Sequence, residues 1–200
     1  MHLISLVLFS LIWLIIIYEF NILLAGRPIK LNLGKATLYI TTMAAIGLLG
    51  EVLYDTVYNS IFGRPLWVYH LYPIHHGYTS IFSLCLWGAV GLYIYMLHGT
   101  LKKNRITSRL VIAAIFCIDA IIFEVLINLS YKVLFKDYLF YYLPNDLWHI
   151  TSLQTLPLYL LAGFATLYTF DYASSRQKAA ITGSVLVAIF ILGTGILLKR

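Results

Sequence analysis

Two glutamates define the chemistry open to this chain. Glu51 and Glu124 lie 73 residues apart, each inside a long apolar run and each 11 residues before that run ends. At 1.5 Å rise per residue both carboxyls fall about 16 Å in from a helix end, a depth expected near the bilayer midplane. Asp55 and Asn128 follow one turn later on the same helical face. Ionisable groups at such depth are costly unless paired or wetted, which makes them candidates for a ligand, ion or proton site. The structural alternative is a protonated Glu, helped by Asn128, tying helices together through hydrogen bonds. Asp119 sits five residues before Glu124 on another face and has no counterpart.

Histidines and aromatic residues collect in two connections. One holds Trp67, Tyr69, His70, Tyr72, Pro73, His75 and His76; the other holds Phe140, Tyr141, Tyr142, Pro144, Asn145, Asp146, Trp148 and His149. Such residues form interfacial belts at bilayer surfaces, and that reading accounts for them without any ligand. The functional alternative folds both connections into the mouth of a vestibule floored by Glu51 and Glu124. His75 or His76 with His149 and the carboxylates would make an N/O set suited to Zn, Fe or Mn, but no HExxH spacing is present. Thr79-Ser80 and Thr151-Ser152 read as helix starts, and Thr151-x-x-Gln154 has the capping-box spacing. Two helix N-termini, with Arg64 nearby, would favour an anionic group in the same vestibule. The candidate ligand-binding set is therefore Glu51, Asp55, Arg64, His75, His76, Glu124, Asn128 and His149, and no cofactor is named by it.

The elements that must hold these residues are membrane spans. Of 200 residues 61% are hydrophobic and 11% charged, far from the balance of a soluble domain. The expected fold is all-α and polytopic, a single transmembrane domain of six helices with the lipid bilayer as its solvent. Apolar runs cover Leu3 to Leu24, Ala36 to Phe62, Thr79 to Leu97, Leu110 to Phe135, Thr151 to Phe170 and Ala179 to Leu198. The first run has no basic leader before it and is too long for a signal-peptide core, so it reads as a retained helix. The second exceeds the roughly 20 residues that a span needs, so it tilts or projects. A net charge of +6 raises nucleic acid as a partner, but the 14 Lys and Arg fall in short connections, with no basic, aromatic-laced stripe. Odd-numbered connections hold nine of them and the other side five. That bias places both termini on the non-cytoplasmic side. Cys85 and Cys117 lie in apolar runs and read as small buried side chains.

The chain also repeats. At an offset of 73, Glu51-Val52-Leu53 matches Glu124-Val125-Leu126, Asp55 matches Asn128, and Tyr58, Phe62, Leu66 and Tyr69 match Tyr131, Phe135, Leu139 and Tyr142. After one dropped residue, Thr79-Ser80 matches Thr151-Ser152, Trp87 stands opposite Tyr159 and Gly91 matches Gly163. A duplicated two-helix hairpin is the simplest account. Its copies cover about 44–97 and 117–170 and are related by an axis along the membrane normal, with helices 3–24 and 179–198 flanking them. Small residues Ala44, Gly47, Gly50, Gly88, Gly91, Gly193 and Gly195 would let helix backbones approach closely.

Trp67-x-Tyr69, Pro73, Gly77-x-Thr79-Ser80 and Leu86-Trp87-Gly88 resemble the CmpB-type family of small bacterial membrane proteins, labelled as ABC-transporter permeases. The likeness covers about residues 45 to 165. It departs at Val68, where the family tends to have Asp, and at Phe140-Tyr141-Tyr142 in the second copy. It implies the same fold and a permease role. The chain has no GxxxxGK[ST] loop and no GxSxG elbow, so a nucleotide-driven motor would be a separate ATPase or other membrane subunit. The leading expectation is a protein that binds or transports a small molecule or lipid through an outward-opening intramembrane site. The alternatives are a membrane-embedded lipid enzyme, metal-dependent in one form, and a non-catalytic subunit of a complex.

Overall fold

The apolar runs fold as six helices in a computed structural model that describes residues 3–26, 30–103 and 108–197. They are α1 (Leu3–Ala25), α2 (Leu33–Phe62), α3 (Ser83–Lys103), α4 (Arg109–Phe135), α5 (Leu156–Ala173) and α6 (Gln177–Leu197). Each is long and apolar enough to cross a bilayer, so the fold is all-α and polytopic. Arg27, Arg105, Lys199 and Arg200, which enter the charge count above, lie outside the described residues.

Between α2 and α3 run three short strands, β1 (Trp67–Tyr69), β2 (Pro73–Ile74) and β3 (Thr79–Ser80), and between α4 and α5 runs β4 (Phe140–Tyr142). The expected helix starts at Thr79-Ser80 and Thr151-Ser152 are therefore corrected. Thr79-Ser80 pair with Pro73-Ile74 in an antiparallel ladder, and α3 begins only at Ser83. Thr151 forms a bridge to Leu147, Ser152 caps a single 3-10 turn by accepting from Gln154 N at 3.2 Å, and α5 starts at Leu156. The capping-box partner Gln154 instead accepts from the Tyr58 hydroxyl at 2.5 Å.

The local reasons are legible. Asn32 caps α2 by accepting from Lys35 N at 3.0 Å, and Gly63 ends the helix in the left-handed conformation at φ 69°. Lys136 ends α4 in the same conformation at φ 60°. Past each stop, Trp67-Val68-Tyr69 and Phe140-Tyr141-Tyr142 are aromatic and β-branched, types that favour strand. They pair antiparallel, Trp67 with Tyr142, Val68 with Tyr141 and Tyr69 with Phe140.

Backbone polar groups in a region walled by membrane helices must find internal partners. Here α2 and α4 supply them. Asp55 Oδ1 accepts from Leu66 N at 2.5 Å, and Asn128 Oδ1 accepts from Leu139 N at 3.1 Å. Asn128 Nδ2 also donates to the Phe140 and Ile150 carbonyls at 2.8 and 2.9 Å. Both side chains are fully buried.

Close helix contacts sit where small residues allow them. A Cβ on Gly91 of α3 would stand 2.4 Å from the Tyr39 carbonyl oxygen and 2.9 Å from Ile40 Cα on α2. A Cβ on Gly163 of α5 would lie 3.3 Å from Ala113 Cα on α4. Gly47 makes room for the Trp87 indole and Gly195 for the His75 ring, whereas Gly193 faces open space, contrary to its expected packing role.

Candidate intramembrane cavity

Glu51 is 4% exposed, and both its oxygens accept hydrogen bonds: Oε1 from the Tyr69 hydroxyl at 2.5 Å and Oε2 from the Thr79 hydroxyl. Glu124 is held in the same manner, Oε1 by the Tyr142 hydroxyl and by Tyr159 at 2.8 Å, and Oε2 by Thr151. The two donors on Glu51 come from the connection that follows its own helix, and the same holds for Tyr142 and Thr151 on Glu124. A threonine is short, so each connection must turn back along its helix to bring the hydroxyl within reach.

Consecutive left-handed residues make that turn. His75 and His76 have φ of 50° and 58°, and Trp148 and His149 have φ of 52° and 61°. This conformation is costly for side-chain-bearing residues, so the surrounding bonds must hold it. His75 Nε2 bonds the Ile191 carbonyl of α6 at 2.8 Å, and His149 Nδ1 donates to the Tyr142 carbonyl at 2.7 Å. His70 and Asp137 form a surface ion pair at 3.0 Å, which holds the Asp137 carboxyl below the usual carboxylate range.

Both glutamates line one cavity of about 430 Å³ between α1, α3 and α4. Its wall is otherwise almost entirely apolar: Phe9, Trp13 and Ile17 of α1, Leu86, Trp87 and Val90 of α3, and Phe116, Ala120, Phe123 and Ile127 of α4. The volume falls in the range of small-molecule sites. Cys85 lines the cavity and is exposed. At its inner end a second void of about 10 Å³, enough for about one water, is bounded by both glutamates, Tyr69, Tyr142 and Tyr159.

Of the residues expected to bind a ligand, Glu51 and Glu124 come together on this cavity. Asp55, Arg64, His75, His76, Asn128 and His149 are not among its lining. Asp55 and Asn128 serve backbone, as described, and Arg64 is exposed. Among the described residues no three His, Cys, Asp or Glu side chains gather as a metal-ligand set. The aromatic connections contribute Tyr69, Phe82 and Phe140 to the cavity wall, and their strands β1 and β4 pair beside the carboxyls. Asp119, on its separate face, accepts from the Tyr93 hydroxyl.

Sequence reasoning did not assign the five hydroxyls. Tyr69 with Tyr142 and Thr79 with Thr151 stood as matches in the repeat alignment, where a polar residue kept beside a matched acid was the available signal; Tyr159, opposite Trp87, carried no such signal. Compared with known protein families, curated proteins and solved structures, the chain matches none.

Proposed function

We propose that this integral membrane protein binds a hydrophobic small molecule or lipid in the cavity between α1, α3 and α4, with Glu51 and Glu124 addressing its polar end. One observation carries the reading: the carboxyls of buried Glu51 and half-buried Glu124 line a cavity of about 430 Å³ whose remaining wall is almost entirely apolar. A carboxyl pair serving only as structural glue needs no such space beside it. Transport of the ligand across or within the bilayer is the extension of this reading, and kinship with the CmpB-type permeases, carried by the Trp67 to Gly88 motifs, belongs to the same proposal.

Duplication of a hairpin is part of it as well. Its support is that Tyr69 and Thr79 meet Glu51 as Tyr142 and Thr151 meet Glu124. The β1 to β4 register adds to this, because each strand pairs with its own matched copy about the Val68 to Tyr141 centre. Placement of both termini on the non-cytoplasmic side rests on the Lys and Arg bias alone. A histidine-based lipid enzyme draws less support, since His75 and His149 are bonded to carbonyls away from the cavity.

The test is ligand retention. Protein purified in mild detergent is expected to carry a co-purifying hydrophobic molecule visible by native mass spectrometry. Ala120→Phe, which fills the cavity from α4, is expected to lose it while keeping the same elution profile. Equal retention in the Ala120→Phe protein overturns the proposal.

A further inference from the structure

The inner end of the cavity carries information about the ligand's head group. Glu51 and Glu124 bound the same void of about 10 Å³ at that end. The hydrogen bonds they accept all come from neutral hydroxyls. Among the described residues the acidic side chains in ion pairs are Asp137 with His70 and Asp171 with Arg109, so no basic side chain there compensates either glutamate. Buried charge without a partner is strongly unfavourable.

A carboxylate accepts at about four positions. The Tyr and Thr hydroxyls occupy two on Glu51 and three on Glu124, which leaves acceptor capacity on both. The rings of Trp87 and Tyr159, with centroids 6.3 Å apart, flank the same point. An acidic head would add only a further unpaired group, whereas an amine can take the proton of either carboxyl and stand against the resulting carboxylate as an ion pair.

We infer that the ligand is a cationic amphiphile, with its apolar body between α1, α3 and α4 and a protonated amine at Glu51 and Glu124. An ammonium brings both the missing countercharge and three N–H donors. The inference rests on the binding reading above and adds the head-group class to it.

The experiment uses three C12 photoprobes that carry a diazirine on the chain and differ only in the head: amine, alcohol or carboxylic acid. Each is irradiated with the full chain in lipid nanodiscs at pH 7, and crosslinks to α1, α3 and α4 are mapped by mass spectrometry. The amine is expected to label the cavity wall at roughly tenfold lower concentration than the alcohol, the margin of a charge-assisted over a neutral hydrogen bond. The acid is expected to label least. Glu51→Gln combined with Glu124→Gln is expected to bring the amine down to the alcohol's level, while Glu51→Asp, which keeps the charge, retains the preference. Should the alcohol or acid label the wall as well as the amine, the head-group assignment is overturned and the cavity reading stands. Should none label the wall, with Ala120→Phe leaving every pattern unchanged, the binding reading itself fails.

Discussion

Asp55 and Asn128 hold one structural post with two side chains, and the difference between them is informative. Each accepts from a backbone N–H of the segment that follows its helix, Leu66 for Asp55 and Leu139 for Asn128. Asn128 uses its amide nitrogen on two carbonyls, whereas Asp55 Oδ2 is buried without a partner. An amide therefore fits the Asp55 post on the precedent of its counterpart. Asp55→Asn is expected to be within about 1 kcal/mol of the parent, and Asp55→Ala to cost about 1–3 kcal/mol by stranding the Leu66 N–H. Thermal unfolding in detergent reads both. An Asp55→Asn protein as damaged as Asp55→Ala would show that the carboxyl does something an amide cannot.

At the scale of elements, each hairpin closes on a glycine, and the two contacts differ in tightness. Gly91 meets α2 backbone at 2.4 to 2.9 Å from a built Cβ, while Gly163 meets α4 at 3.0 to 3.3 Å, in part against the movable ring of Phe116. Backbone cannot yield without shifting a helix. Gly91→Ala is thus expected to destabilise by about 1–3 kcal/mol and Gly163→Ala by less. Comparison of their unfolding midpoints in detergent decides it, and an equal or reversed order would count against the described contact between α2 and α3. The strands between helices follow from the same economy. Once α2 stops at Gly63, the chain that turns back beside it can lean on β-pairing and on Asp55, and β4 leans likewise on Asn128.

The whole molecule places α1 where the sequence suggested only a flank. Phe9, Trp13 and Ile17 form one wall of the cavity, and α1 is seated on α4 by the Trp13 indole donating to Ser130 Oγ at 3.2 Å and by the Phe9 ring against Tyr131 and Phe135. Cys85 is exposed on the cavity, whereas Cys117 is buried. In membranes, N-ethylmaleimide is expected to label Cys85 several-fold faster than Cys117, and a charged, impermeant thiol reagent to label Cys85 poorly from either aqueous side. Mass spectrometry of the labelled peptides checks this. Rapid reaction with the charged reagent would mean that the cavity is open to water rather than to the lipid-facing side of α3.

Six helices, their approximate limits and the depth of Glu51 and Glu124 within them were legible from hydropathy and spacing, because a membrane span is a local property of about twenty consecutive side chains. The alignment also marked Tyr69, Thr79, Tyr142 and Thr151, though only as matches. Their task was hidden because a hydroxyl has no assigned partner until the chain after α2 or α4 folds back beside its helix. That reversal turns on left-handed backbone at His75-His76 and Trp148-His149, residues with no strong turn preference of their own, held by bonds to Ile191 and to Tyr142. Likewise no single run of sequence encodes the cavity. It exists only where α1, α3 and α4 meet, and its position was decided by packing among segments distant in the chain.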